Sequence, residues 1–420
     1  MITFLRYFCS LAQVKSDTMQ IKSQIISLLF LCALVACEPG HDKELTSFRL
    51  VNDSIKSTYA PDKRVAIYDI EAELNQDKVI LRGQTDQPKA LEDLKSILAS
   101  KGIVFEDKVV SLPDSSVGDN TRAIVNNSVA NIRSQPRHSA ELATQAILGT
   151  VLKVLKIQGD FYLVQTPDGY IAWVDHGGVT LASPKRFDAW TKAPKIIFTR
   201  SYGSVYDNPG DELIILGDLV LGAQLVLLDE SDDFYKVQYP DERVGFVKKS
   251  ESERYHEWIE EVDPSGTLVE LYARELMGSP YLWGGTSSKG MDCSGFTKTV
   301  YLMNGYVIPR DASQQINAGK NVDEDLNMSH LEKGDLMFFG TKATDSTRQR
   351  VTHVGIWLGN DHGEFIHASG KVKMSSIDPN APDYDAFNTN RYLGSRRYLG
   401  QKDVLIKDLK QGDRNSKVKS

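Results

Sequence analysis

Apolar residues follow two rhythms along this chain. Between residues 121 and 252 they alternate in short runs, as in Val129-Ala-Asn-Ile-Arg133, Gly149-Thr-Val-Leu-Lys-Val154 and Gly169-Tyr-Ile-Ala-Trp173. A period of two, broken often by glycine, proline and aspartate turns, predicts the short strands of small all-β barrels. Elsewhere the spacing becomes three and four. Phe296, Val300 and Tyr301 fall on one face of a helix expected to begin near Cys293, and Leu91, Leu94, Ile97 and Leu98 stripe another. The second helix lies among strand-like runs at Val65 to Leu74, Lys78 to Gly83 and Ile103 to Leu112. Together these make a small α+β module over residues 37–115, expected to be a spacer or docking piece without chemistry of its own.

The alternating region repeats itself. Asp160-Phe-Tyr-Leu-Val-Gln-Thr-Pro-Asp168 returns as Asp233-Phe-Tyr-Lys-Val-Gln-Tyr-Pro-Asp241, a displacement of 73 residues that also sets Gly149 on Gly222 and Trp173 on Phe246. Two copies imply paired domains, residues 121–190 and 195–252, and not a solenoid. The polar run Pro113 to Asn120 reads as the linker before them. A third body, residues 264–400, surrounds the helix at Cys293. Within it Ala343 to Arg350 is polar and aperiodic, an exposed loop, and the charged stretch 401–420 reads as a solvated, partly disordered tail.

Composition changes this picture little. A chain of 420 residues has material for several cores, and its net charge of −7 argues against nucleic acid as a partner. Cysteine placement is more telling. Cys9, Cys32 and Cys37 all fall in the leader, so the body keeps one thiol, Cys293, and has no disulfide framework. Metal is disfavoured, because neither a second thiol nor a clustered histidine pair accompanies it. No cofactor is expected. In the leader, the apolar run Ile25 to Val35 after Lys22 is too short for a membrane span and ends in small residues, as a secretory signal does.

Chemistry concentrates in Tyr281-Leu-Trp-Gly-Gly-Thr-Ser-Ser-Lys-Gly-Met-Asp-Cys-Ser-Gly-Phe296. A thiol at the first turn of a helix meets unpaired amides and the positive end of the dipole, which favour thiolate. Two histidines follow on strand-like segments, His353 in Thr352-His-Val-Gly-Ile-Trp-Leu358 and His367 in Glu364-Phe-Ile-His-Ala-Ser369. With His353 as base and His367 holding its far ring nitrogen, Cys293 has the partners of a nucleophile. Tyr281 is a candidate oxyanion donor beside the Cys293 amide.

Asp292-Cys-Ser-Gly-Phe296, Tyr281-Leu-Trp-Gly-Gly285, Ile308-Pro-Arg310, Gly334-Asp-Leu-Met-Phe-Phe339 and Thr352-His-Val-Gly355 resemble, in order, the signatures of NlpC-type cell-wall cysteine peptidases. The likeness spans about Thr267 to Gly400. It implies a papain-like α+β fold, helix against antiparallel sheet, and cleavage of a peptidoglycan stem peptide after D-glutamate. The repeated strands resemble bacterial SH3-like domains, whose usual role is to hold cell-wall polymer. The pairing of two such domains with this peptidase is most similar to the γ-D-glutamyl-L-diamino acid endopeptidases of dipeptidyl-peptidase type. That likeness implies that Glu141 and Tyr170, with Asp292, hold the free amine of an N-terminal L-alanine. Two carboxylates and a phenol would match the three donors and the charge of an ammonium.

Ser294, Arg310 and Asp311 are candidates for the D-glutamate carboxylate and nearby peptide groups. The family often carries a serine where Ala312 stands, with Ser313 as the stand-in here. Trp283 and Trp357 are groove-lining or core aromatics, and Asp335 a turn or strand-end residue. Leu34-Val-Ala-Cys37 resembles a lipoprotein lipobox. This implies removal of residues 1–36 as signal peptide, acylation of Cys37 and a membrane-anchored place in the bacterial envelope, with Met1 or Met19 as the start. The other readings are a lipid-anchored wall-binding module without turnover, and a related amidase or acyltransferase.

Overall fold

The protein is represented by a computed structural model that describes residues 41–75, 78–210, 213–359 and 362–411. The leader, with Cys37, and the tail beyond Gln411 lie outside the described residues. Among the described residues no helix is long and apolar enough to cross a membrane.

The chain forms two compact units, the smaller made of residues 41–58, 70–83 and 89–109 and the larger of 59–69, 84–88 and everything from 110 onward. The smaller begins with helix α1 (His41–Tyr59), which the sequence reading left unassigned although it buries Phe48, Val51 and Ile55 at helical spacing. Strands β1 (Tyr68–Asn75), β2 (Lys78–Thr85) and β3 (Phe105–Ser111) form a sheet in that order. Helix α2 (Pro88–Ser100) buries Leu91, Leu94 and Leu98, as its stripe predicts.

In the larger unit the repeat is complete. Strands β4 (Arg122–Val125), β5 (Val129–Arg133), β6 (Leu142–Ile147), β7 (Val151–Gln158), β8 (Phe161–Gln165), β9 (Ile171–Asp175) and β10 (Val179–Ala182) lie in the order β10-β4-β7-β8-β9-β5-β6. After helix α3 (Pro184–Lys192) come β11 (Lys195–Phe198), β12 (Tyr202–Tyr206), β13 (Ile215–Val220), β14 (Gln224–Glu230), β15 (Phe234–Gln238), β16 (Val244–Lys248) and β17 (Ser252–Arg254), ordered β17-β11-β14-β15-β16-β12-β13. Each strand of the second sheet starts 73 residues after its counterpart, and the order is the same. Gly149 and Gly222 both take φ near +85°, open to glycine. At Gly149 a Cβ would stand 2.4 Å from the Gln224 carbonyl, so the close approach of the two sheets also needs glycine there. Among the described residues neither sheet closes, which corrects the expected barrels: no ladder there joins β6 to β10 or β13 to β17.

Helices α4 (Tyr255–Glu261) and α5 (Gly266–Glu275) lead to the hairpin β18 (Thr286–Ser287) and β19 (Gly290–Met291), then to α6 (Cys293–Leu302). Phe296, Val300 and Tyr301 are fully buried on α6. They pack in one core with residues of a six-stranded antiparallel sheet. After β20 (Tyr306–Val307) and α7 (Ala312–Gln315), that sheet takes β21 (Lys320–Asn321), β22 (Leu336–Thr341), β23 (Arg350–Trp357), β24 (Glu364–Ser369), β25 (Lys371–Ser376) and β26 (Tyr392–Arg397), ordered β21-β26-β22-β23-β24-β25. Residues 342–349 are exposed, as their polarity predicts. The stretch after Gly400 is not simply solvated. Lys407–Asp408 pairs with β20, and Ile406 and Leu409 pack on the main core; two apolar anchors dock an otherwise charged segment.

Candidate active site

Asp292 starts the helix that carries the thiol. Its Oδ1 accepts from the Gly295 amide at 2.7 Å, Ser294 Oγ at 3.2 Å and Arg310 Nη1 at 3.0 Å; Oδ2 accepts from the Gly284 amide at 3.0 Å and Arg310 Nη2 at 2.7 Å. Arg310 is fully buried and also donates to Ser294 Oγ at 3.0 Å and, through Nε, to Thr144 Oγ1 of β6 at 3.0 Å. These bonds fix the first turn and correct one expectation, the place of Arg310 at a substrate carboxylate. Asp292 thus receives five donors, which organise the first turn, and it also lines the groove over the sulfur. The Arg310 guanidinium, enclosed by Asp292, Ser294 and Thr144, is not available to a substrate carboxylate.

Cys293 Sγ receives the amides of Val354 and Ser294. Contrary to the dipole argument, the thiol is not acidified. Burial, and next the Asp292 charge, push it up to about 12, against weaker opposing effects of the Val354 amide, Arg310 and the Ser294 amide.

His353 directly precedes Val354, whose amide reaches the sulfur, on β23. Its Nε2 lies 2.7 Å from His367 Nδ1, and His367 Nε2 lies 3.0 Å from Ser375 Oγ and 3.8 Å from Asp385 Oδ2. Burial, followed by the charges of His367, Arg391 and Lys373, holds His353 well below the usual imidazole range. Burial also lowers His367 to about 4, with Asp385 pulling the other way. Both rings are therefore neutral at neutral pH. The tautomers that satisfy the chain have His353 Nε2–H donating to His367 and His367 Nε2–H donating to Ser375, which leaves His353 Nδ1 with its lone pair. A neutral thiol beside a neutral imidazole suits general-base activation during attack.

A groove of about 850 Å³ opens over the sulfur, lined among others by Glu141, Tyr170, Tyr281, Trp283 and Asp311. Burial pushes the Tyr281 phenol up to about 12, with the nearby Cys293 and Asp292 charges adding to it. Glu141 Oε1 accepts from Trp283 Nε1 at 2.7 Å, and Tyr170 donates to Asp311 Oδ2 at 3.4 Å. Asp311 thus stands with Tyr170 in the groove. Ser313 also lines the groove and accepts from Arg64 Nη1 at 2.9 Å. Trp357 is buried with Phe339 and Phe365 and is core, whereas Trp283 is exposed. Asp335 is a turn residue ion-paired with Arg397 at 2.8 Å. The sequence reading missed Arg64, Thr144 and Ser375, which touch the site only through the fold.

A cysteine on a helix start, two adjacent antiparallel strands with hydrogen-bonded histidines and an open groove define a cysteine peptidase of papain-like architecture. The chain belongs to the NlpC/P60 family: residues 278–413 match that family, and residues 132–178 match the bacterial dipeptidyl-peptidase Sh3 domain. It is 32% identical over 268 residues to a γ-D-glutamyl-L-lysine dipeptidyl-peptidase of Bacillus cereus, covering 62% of this chain and 76% of that one. It is 28% identical over 247 residues to the Bacillus subtilis protein of the same name, covering 56% and 75%. Among solved structures, an NlpC/P60 family protein from Bacillus cereus matches with a TM-score of 0.54 at 28% identity, covering 66% of this chain and 99% of that one.

Proposed function

We propose that this peptidase hydrolyses the γ-D-glutamyl bond to the diamino acid of peptidoglycan stem peptides, and prefers peptides with a free N-terminal L-alanine. The observation that carries the reading is the meeting of Glu141, Tyr170 and Asp292, with Asp311 beside Tyr170, in the groove that holds Cys293. The carboxylates of Glu141 and Asp292 and the Tyr170 phenol supply the acceptors and the charge that an ammonium needs. The relatives named above support the bond that is cut.

In the reaction so read, His353 Nδ1 takes the thiol proton as Sγ attacks the γ-carbonyl carbon. The oxyanion receives the Cys293 amide and the Tyr281 hydroxyl. The tetrahedral adduct collapses to a thioester, and the leaving amine takes the proton from His353. Water, deprotonated by the same nitrogen, then cleaves the thioester and restores the thiol. His367, held by Ser375, keeps the working tautomer of His353.

Mass spectrometry of products from a muropeptide panel with free and blocked ends tests this. L-Ala-γ-D-Glu and a free diamino acid are the expected products; release of any other bond, or of none, would sink the reading. Anchoring at the envelope through acylated Cys37 belongs to the same proposal, and its test is a lipid mass increment on the Cys37 peptide that Cys37→Ser removes.

A further inference from the structure

Arg64 enters the groove from residues 59–69, a stretch to which no chemistry was assigned, and its guanidinium is held on two sides. Nε donates to Asp62 Oδ1 at 2.8 Å and Nη2 to Asp62 Oδ2 at 2.7 Å, while Nη1 donates to Asp311 Oδ2 at 2.7 Å and to Ser313 Oγ at 2.9 Å. Asp62 Oδ2 also accepts from Gln314 Nε2 at 2.8 Å. The backbone here is pinned as well: the Ile171 amide donates to the Arg64 carbonyl at 2.7 Å, and Gln165 Nε2 to the Val65 carbonyl at 3.2 Å. Ile67 is buried with Leu112, Leu155 and Leu163. Arg64 is thus tied both to the first sheet and to α7.

Four of its five N–H groups are engaged within the protein, which leaves little for a substrate carboxylate. It shares one Asp311 oxygen with the Tyr170 hydroxyl, so it stands next to the place read above as the amine site. Four carboxylates, of Asp62, Glu141, Asp292 and Asp311, outnumber the two guanidinium groups of Arg64 and Arg310, and the region still attracts an ammonium. We infer that Arg64 is a specificity-determining residue: braced by Asp62, it forms the end wall of the groove, holds Asp311 in place, and limits the chain before D-glutamate to one residue. This rests on the substrate reading proposed above. A peptide extended beyond alanine would need the volume that Arg64 fills.

The test compares kcat/KM on L-Ala-γ-D-Glu-L-Lys and on the same peptide extended by an N-terminal glycine, for the full chain and for Arg64→Ala and Arg64→Lys. The wild type is expected to favour the tripeptide. In Arg64→Ala the ratio should shift toward the longer peptide by about tenfold or more, the order of a lost pocket contact, chiefly through its KM. Arg64→Lys, which keeps charge without the fork, should shift it less. An unchanged ratio in both soluble variants overturns the inference; if Arg64→Ala does not fold, Arg64→Lys decides by the same ratio. Failure of the wild type to cleave the tripeptide at all would instead count against the substrate reading.

Discussion

The strands of the two seven-stranded sheets all start 73 residues apart and share one order, yet among the described residues only the first supplies side chains to the groove. At the positions of Glu141 and Tyr170 the second copy carries Ile214 and Arg243. Ile214 is exposed, and Arg243 lies over the Tyr239 ring at 4.2 Å and pairs with Asp241. Where Thr144 receives Arg310, the second copy has Gly217. The backbone pattern is therefore kept by alternation and turns alone, while side chains on the β5–β6 and β8–β9 connections of the first copy line the groove.

That contrast presumes that chemistry sits at Cys293. Cys293→Ala should lower turnover by about 10³-fold or more, the scale seen when a covalent nucleophile is removed, while leaving the fold intact. Retained turnover in a peptide assay would refute the site. Asp292→Ala strands the buried Arg310 charge and cuts its tie between the first copy and the thiol. Its expected cost is about 3–5 kcal/mol of stability, read in urea unfolding, since one partner of a buried pair is lost. Glu141→Gln should raise KM for the free tripeptide by about 10- to 100-fold with kcat little changed, as loss of one charge-assisted contact predicts.

The pH dependence follows from the neutral pair. His353, held below its usual range, must be uncharged to act as base, so kcat/KM should climb with rising pH to a plateau reached below about pH 6.5. With the thiol pushed up to about 12, its ionisation should cause no alkaline fall below about pH 10. For stability the sign is the same. His367, lowered to about 4, contributes fully above the unfolded value near 6.5, and that contribution is lost as pH falls toward 4, because the unfolded chain binds the proton first. A pH series of urea midpoints measures it. The smallest effect belongs to the second copy: Ile214→Glu and Arg243→Ala should leave kcat/KM within about twofold and stability within about 0.5 kcal/mol, as exposed substitutions do.

Much of this was legible in the chain. The 73-residue offset and the α6 stripe foretold the sheets and the helix because period and turn chemistry are local. The Cys293, His353 and His367 trio was readable because each lies in a short, distinctive word. Three other features were not. The thiol's ionisation depends on burial and on the Asp292 charge, which outweigh a helix start visible in sequence. The roles of Asp292 and Asp311 depend on which carboxylate Arg310 occupies, and Arg64 reaches Asp311 across 247 residues of chain. Helix α1 was missed although Phe48, Val51 and Ile55 carry its spacing.

The central claim is that a charged end of the groove, built by the first sheet, selects the peptides that reach Cys293. Measuring kcat/KM on L-Ala-γ-D-Glu-L-Lys and on its N-acetylated form, in wild type and Glu141→Gln, tests it most directly. The account predicts that the wild type prefers the free amine by about 100-fold or more, and that Glu141→Gln loses about tenfold of that preference, the size of one ionic contact. Equal kcat/KM on both peptides in the wild type would contradict it.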